Sequence, residues 1–326
     1  MPSLAPAPDP VARFRRDVEA LAGGEPERLG LAVSGGPDSL ALLLLSAAAF
    51  PGRIGAATVD HGLRRESAAE ALHVENICER LGCPHAILEV EVPAGRAGLQ
   101  GEAREARYAA LARWAASDGI SHLATGHHAD DQAETLLMRL QRGSGLAGLS
   151  GIRPLRRDGD LPILRPLLGW TKAELVHIVG QAGIEAADDP SNRDPRFDRA
   201  AMRAFLRENP QLAPRRLART AAALGEAEEA LAWAADQLAE DRITAQGGEW
   251  RVDPSGLPRA FKRRLLARAI AEIRREHGID PPWTGGEDVD GLLATLEEGG
   301  AGTLAAIMAR GGPVWHLRLA PPRRAG

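Results

Sequence analysis

Lysine is nearly absent from this chain: of 40 basic residues in 326, two, Lys172 and Lys262, are lysine and the rest are arginine. That removes almost every candidate for a catalytic lysine. Cysteine is as scarce. Cys78 and Cys83, with four residues between them, form neither a disulfide framework nor a CxxC metal or redox pair, and read as two thiols near the end of a peripheral helix. Long apolar runs are missing too, since the most apolar window, Leu40 to Phe50, falls short of the roughly 20 residues that span a bilayer. The opening MPSLAPAPDP is proline-broken and acidic where a signal peptide would be basic and then apolar. The expectation is a cytoplasmic protein with no membrane partner.

A net charge of −4 does not mark the whole chain as a nucleic-acid binder, but the charge is unevenly placed. From Arg259 to Arg275, seven bases stand against one acid, Glu272. Such a run is either a solvated helix face or a surface for phosphate contacts. The 44% apolar and 26% charged content is ordinary for a globular protein, and the length suggests two domains.

Through the first half, short strand-like pieces (29–34, 53–60, 85–92, 121–126) alternate with helical patterns (38–50, 67–81, 99–118, 129–141). The alternation predicts an α/β fold with a parallel sheet covered on both faces, and ligands at the C-terminal strand ends. Three of those strands run into unlike polar clusters, SGGPDS, DHGLRRES and GHHADDQ. Beyond residue 160 the pattern predicts a short extended segment and a helix capped by Thr171, with Glu174 at capping-box spacing. The expected division is a flexible tail and lead-in helix over 1–20, a catalytic domain over 21–210, and a smaller, mainly helical domain over 216–326 that ends in a short β-hairpin around Gly311-Gly312.

LGLAVSGGPDSLALL, residues 29–43, has the strand, loop, helix order of a phosphate-binding loop, yet the loop holds no lysine. A Walker loop uses its lysine to reach the β and γ phosphates for γ-phosphoryl transfer. Here two glycines admit an anion closely, Ser34 and Ser39 offer hydroxyls, and Asp38 can hold Mg²⁺ through oxygen. Such a loop suits a pyrophosphate that leaves intact while the α-phosphate is attacked. The implied chemistry is adenylation.

SGGPDS resembles the PP-loop of the N-type ATP pyrophosphatases, an adenine nucleotide alpha hydrolase-like fold. VDHGLRRES, GEAREARYAALARW, ATGHHADDQAETLLMRLQRGSGLAGLSG, RPLL and DDPSNRDPRFDRAAMR resemble, in order and spacing, one branch of that superfamily, the tRNA(Ile)-lysidine synthetases, over roughly residues 29–207. That resemblance implies ligation of free L-lysine to C2 of the wobble cytidine of a tRNA(Ile) with a CAU anticodon. ATP and Mg²⁺ would be needed, AMP and pyrophosphate released, and decoding moved from AUG to AUA. It implies that Ser34, Gly35, Gly36, Pro37, Asp38 and Ser39 cradle the pyrophosphate, that Asp60 faces the adenosine, and that Asp38 and Asp131 hold metal or steer the reacting groups. Acids at a helix start, such as Asp130 and Asp131, also simply favour the macrodipole.

His128 reads as a hydrogen-bonding or proton-transfer group beside the substrate, because adjacent histidines rarely aim at one ion. Arg107, with Arg104 one turn earlier, is expected to neutralise phosphate charge, and Glu102 to meet the lysine amine. The resemblance also implies that Arg142, which opens a glycine-rich segment, lies near the cytidine, and Asn192, Arg199 and Arg203 match later family signals. Ala200 departs from the asparagine that many members carry there. Arg263 and Arg264, in the basic run, are expected to contact tRNA. The oligomeric state stays open, a homodimer included.

Two other readings compete. A PP-loop tRNA thiolase would adenylate a base in the same way but deliver sulfur, and would want reactive cysteines or an iron–sulfur cluster. A non-catalytic nucleotide-binding regulator could use the same architecture but would not need the acidic and histidine clusters.

Overall fold

A computed structural model describes residues 4, 6–60, 65–90, 99–187, 198–281, 283 and 288–321. The chain divides into two compact units, 1–225 and 226–326.

In the first unit, β1 (Leu29–Ala32), β2 (Ile54–Asp60), β3 (His85–Glu89), β4 (His122–Thr125), β5 (Leu155–Asp158) and β6 (Leu161–Leu164) form one sheet in the order β3-β2-β1-β4-β6-β5. All neighbours are parallel except β5, which lies antiparallel on the edge beside β6. The helices are α1 (Pro8–Ala22), α2 (Pro37–Ala49), α3 (Arg65–Leu81), α4 (Leu99–Ser117), α5 (Ala129–Gln141), α6 (Leu146–Leu149), α7 (Lys172–Gln181) and α8 (Asp198–Glu208). These bounds follow the apolar periodicity of the sequence to within a few residues. Edge strand β5 and the one-turn α6 are the exceptions; LRRD carries too little apolar alternation to read as a strand, and α6 is too short to show a period.

Helix α2 is buried almost all round, Leu40 to Leu45 without a break, and packs with Phe14 and Val18 of α1 and Leu175, Ile178 and Val179 of α7. Burial of each such leucine is worth about 1.5–3 kcal/mol, so α2 is the best-anchored helix of the unit. A second cluster, around Tyr108, Leu111 and Trp114 of α4, covers another part of the sheet. Cys78 and Cys83 are buried in the α2 core, which corrects the expectation of a peripheral pair.

Chain direction across the sheet reverses at β1. From there β2 and β3 extend one way and β4 the other. The loops after β1 and β4 must therefore diverge at adjacent strand ends, which opens a crevice between them.

The second unit is built from α10 (Arg259–Glu276), α11 (Val289–Glu297) and a five-stranded antiparallel sheet, and the division itself falls within α9 (Pro214–Arg242). The sheet contains β7 (Ile243–Gln246), β8 (Glu249–Val252), β9 (Ala301–Leu304), β10 (Ile307–Arg310) and β11 (Trp315–Leu319) in the order β7-β8-β11-β10-β9. The expected hairpin around Gly311-Gly312 is thus two strands of a larger sheet. Its core joins Leu265, Ile270 and Ile273 of α10 to Leu293, Ile307 and Trp315.

The β9–β10 turn escaped detection because it is made of alanine. Leu304 pairs with Ile307, so Ala305 and Ala306 form a two-residue loop with φ of 51° and 66°. Such turns ordinarily take Asn-Gly, since a side chain in the left-handed region costs about 1–2 kcal/mol per residue. Replacing Ala305-Ala306 by Asn-Gly is expected to stabilise this unit by about 1–2 kcal/mol, seen as a higher urea midpoint. An unchanged or lower midpoint would show that the alanines are not strained.

Candidate active site

The crevice at the sheet reversal is a cleft of about 1190 Å³, lined by the loop after β1, the starts of α2, α5 and α7, and residues of α4 and α8. Its floor is the SGGPDS turn. Gly35 has φ of 82°, a conformation open to glycine but strained for other residues, and its carbonyl accepts from Ala187 N at 3.0 Å. Ser39 Oγ donates to Gly36 O at 2.9 Å and accepts from Ser34 N at 3.1 Å. Helix α2 starts at Pro37 with no side-chain cap, so its first N–H groups face the cleft as an anion-binding terminus. Gly126, after β4, lets that loop press against α2: a Cβ there would stand 3.2 Å from backbone atoms of Asp38 and Ser39.

That close approach brings the start of α5 to the start of α2. His128 is the N-cap of α5. Its Nδ1 lies 3.2 Å from Asp130 N and 3.5 Å from Asp130 Oδ2, while its backbone N–H donates to Asp131 Oδ2 at 3.1 Å. The Nε2 then points between Asp38 Oδ1 and Asp131 Oδ2, 3.5 Å from each. Burial alone would lower the His128 pKa, but Asp130, Asp38 and Asp131 outweigh it and raise it to about 10. Burial would likewise push the Asp38 carboxyl up, yet His128 and Lys172 hold it below the usual carboxylate range. His127 behaves oppositely. Burial carries it down to about 4, against the pull of Asp131 and with help from Arg165, Arg107 and Arg199, so it is a neutral ring at pH 7.

Glu134 lies one turn beyond Asp131 on α5 and is 2% exposed. One of its oxygens takes a 2.6 Å ion pair from Arg203 Nε, and Oε2 has no hydrogen-bond partner among the described residues. Burial raises its pKa against the pull of Arg203. Arg203 also lies 3.8 Å from Asp131.

Of the residues expected from the sequence, the cleft lining brings together Ser34, Gly36, Pro37, Asp38, Ser39, Arg107, His128, Asp131, Arg199 and Arg203, with Gly35 in the same turn. Ala200 lines it as well, where an asparagine side chain is lacking. Asp60, Glu102, Arg104 and Arg142 are outside the lining. Glu102 is exposed on α4, Arg104 lies over the Tyr108 ring at 5.2 Å, and Arg142 forms an exposed 2.6 Å pair with Asp198. Asn192 lies outside the described residues.

In the second unit Arg263 is exposed, but Arg264 makes a two-pronged pair with Glu228 at 3.0 and 2.6 Å. Arg259, Lys262 and Arg268 also have acidic partners, and Arg274 donates to backbone carbonyls. The basic run is therefore largely neutralised internally, with Arg264 held by Glu228 and Arg263 left exposed. Apart from Glu272, the acids responsible are distant in sequence, which is why the local charge count overstated the face.

Among the cleft residues that were not foreseen, two meet the acid cluster and its cations. Glu134 could have been found as an acid on the buried stripe of α5, three residues after Asp131. Lys172 is the other. Its Nζ grips Asp38 at 2.7 and 2.6 Å, and its backbone N–H donates to Asp130 Oδ2 at 2.8 Å.

The start of α7 is fixed by the foreseen capping box. Glu174 Oε2 accepts from both the backbone and the hydroxyl of Thr171 at 2.7 Å, while Oε1 meets Arg13 at 2.9 Å and Arg215 at 2.7 Å. Burial opposes ionisation of Glu174, but these donors win and hold its pKa down at about 2.

Because this folded value lies below the unfolded one of about 4.3, the stabilisation is complete above about pH 4.3 and is lost as pH falls toward 2. The gap in urea midpoint between the wild type and Glu174→Gln is expected to be wide near neutrality and to shrink through that window. A gap independent of pH would contradict the assignment.

A family model described as a PP-loop domain matches residues 11–209. The tRNA(Ile)-lysidine synthase of Novosphingobium aromaticivorans is 46% identical over 320 residues, covering 96% of this chain and 94% of that protein. The one from Zymomonas mobilis is 42% identical over 302 residues, covering 91% and 90%. Among solved structures, a U34-tRNA thiolase from Methanococcus maripaludis with its [4Fe-4S] cluster superposes with a TM-score of 0.53 at 18% identity, over 67% of this chain and 79% of that one. It shares the fold.

Proposed function

The chain belongs to the tRNA(Ile)-lysidine synthase family of PP-loop proteins, and we propose that it joins free L-lysine to the wobble cytidine of a CAU-anticodon isoleucine tRNA at the expense of ATP. The observation that carries the reading is the convergence of Asp38 and Asp131 above a lysine-free phosphate loop.

In the first step the cytidine C2 oxygen attacks the α-phosphorus and pyrophosphate departs. In the second, the lysine amine attacks C2, loses a proton, and AMP leaves with the former C2 oxygen. The turn from Ser34 to Ser39 and the start of α2 hold the pyrophosphate through N–H and hydroxyl donors. Arg107, Arg199 and Arg203 offset the negative charge that gathers at the cleft. Glu134, buried and with one oxygen unpartnered among the described residues, is a better acceptor for the incoming ammonium than the exposed Glu102.

Among the described residues no group of three His, Cys, Asp or Glu side chains is arranged to hold a metal ion. Two carboxylates suffice for Mg²⁺, which enters such sites with substrate phosphates and several waters; Asp38 and Asp131 would hold it. Bound there, it would screen the phosphate charge during displacement.

No described helix is long and apolar enough to cross a membrane, and a cytoplasmic enzyme acting on soluble tRNA is the consistent reading. The thiolase alternative has little support, since Cys78 and Cys83 are buried in the α2 core and absent from the cleft lining.

Labelled lysine supplied with ATP, Mg²⁺ and a CAU-anticodon isoleucine tRNA transcript is expected to enter the wobble base with release of AMP, as read by mass analysis. Asp38→Ala should abolish AMP formation. AMP without label would point to another nucleophile, and undiminished AMP formation by Asp38→Ala would overturn the site.

A further inference from the structure

The phosphate loop lacks a lysine, and one of the chain's two lysines reaches the cleft from 134 residues away in sequence. We propose that Lys172 is the missing phosphate cation: its ammonium is held by Asp38 in the free protein and turns to the pyrophosphate portion of ATP when metal and nucleotide enter. This rests on the adenylating role given to the cleft above.

Lys172 is the first residue of α7, immediately after the Thr171–Glu174 box, and its own N–H is tied to Asp130 at the start of α5. Its backbone is therefore fixed to the two elements that carry the box and the acid cluster, while its four-carbon stem stays adjustable. The Nζ meets both oxygens of Asp38, and the side chain is 41% exposed. A part-exposed ion pair exchanges partners cheaply.

Asp38 lies in the first turn of α2, beside the N–H groups that would bind phosphate. A cation on Asp38 is thus within a side chain's swing of those oxygens. Asp38 is also the candidate Mg²⁺ ligand, and one carboxylate cannot fully satisfy both an ammonium and a divalent ion. Metal entry releases Lys172 as the phosphates arrive, and a compact ammonium with three donors suits a phosphate as a point charge. In the absence of phosphate the same lysine competes with the metal.

These two roles predict effects of opposite sign, which a merely structural lysine would not produce. Calorimetry on the whole chain would compare wild type, Lys172→Met and Lys172→Arg, with thermal unfolding as the folding control. Titrants are Mn²⁺ alone, as a probe of the metal position, and pyrophosphate in the presence of Mg²⁺. The Met variant is expected to bind Mn²⁺ several-fold more tightly and Mg²⁺-pyrophosphate at least tenfold more weakly; the Arg variant should recover most of the pyrophosphate affinity.

Unchanged pyrophosphate affinity in a folded Met variant would overturn the proposal, as would loss of affinity for both titrants together. Neither titration requires tRNA or lysine. Failure of the ligase reading would appear separately, as no tRNA-dependent AMP from wild type.

Discussion

One buried imidazole, His128, stands 3.5 Å from each of two carboxylates, Asp38 and Asp131, and the cleft is organised around that contact. The carboxylates come from the first turns of different helices, α2 and α5, whose positive ends point into the same space. Like charges this close need a cation or a proton between them, and the ring supplies it. The contact exists because the sheet changes direction between β1 and β4, and because Gly126 has no side chain to keep the two helix starts apart.

From that centre the remaining charges follow. Lys172 pairs with Asp38, Arg203 with one oxygen of Glu134, and the capping box beneath Lys172 is tied down by Arg13 and Arg215. Each cation is delivered by an element later or earlier in the chain than the acid it meets, so the site forms only when the whole first unit has folded. A cleft with such balanced charge can accept a polyanion and a divalent metal together without a large excess of either sign.

Most of the α/β unit was legible in the sequence because its strands and helices are strongly periodic and its turns carry glycine and proline. The Thr171–Glu174 box was legible for the same reason, since its chemistry is local. The phosphate loop, Asp131 and His128 were readable as motifs. What could not be read was pairing at a distance. Lys172 was set aside with its scarce residue type, although its rarity hid a placement opposite Asp38. Arg264 counted as a surface charge, although Glu228 neutralises it. The β9–β10 turn was invisible because Ala305 and Ala306 occupy a conformation that their residue type rarely adopts. In all three cases tertiary context overrode the local signal.

The central claim is that the cytidine oxygen, not a phosphate oxygen or water, attacks the α-phosphorus and departs with AMP. An isoleucine tRNA carrying ¹⁸O at C2 of the wobble cytidine tests it directly. After turnover with lysine and ATP, mass spectrometry of the released nucleotide should find the ¹⁸O in AMP and none in pyrophosphate. Retention of the label in the base, or its absence from AMP while lysine is incorporated, would contradict the account.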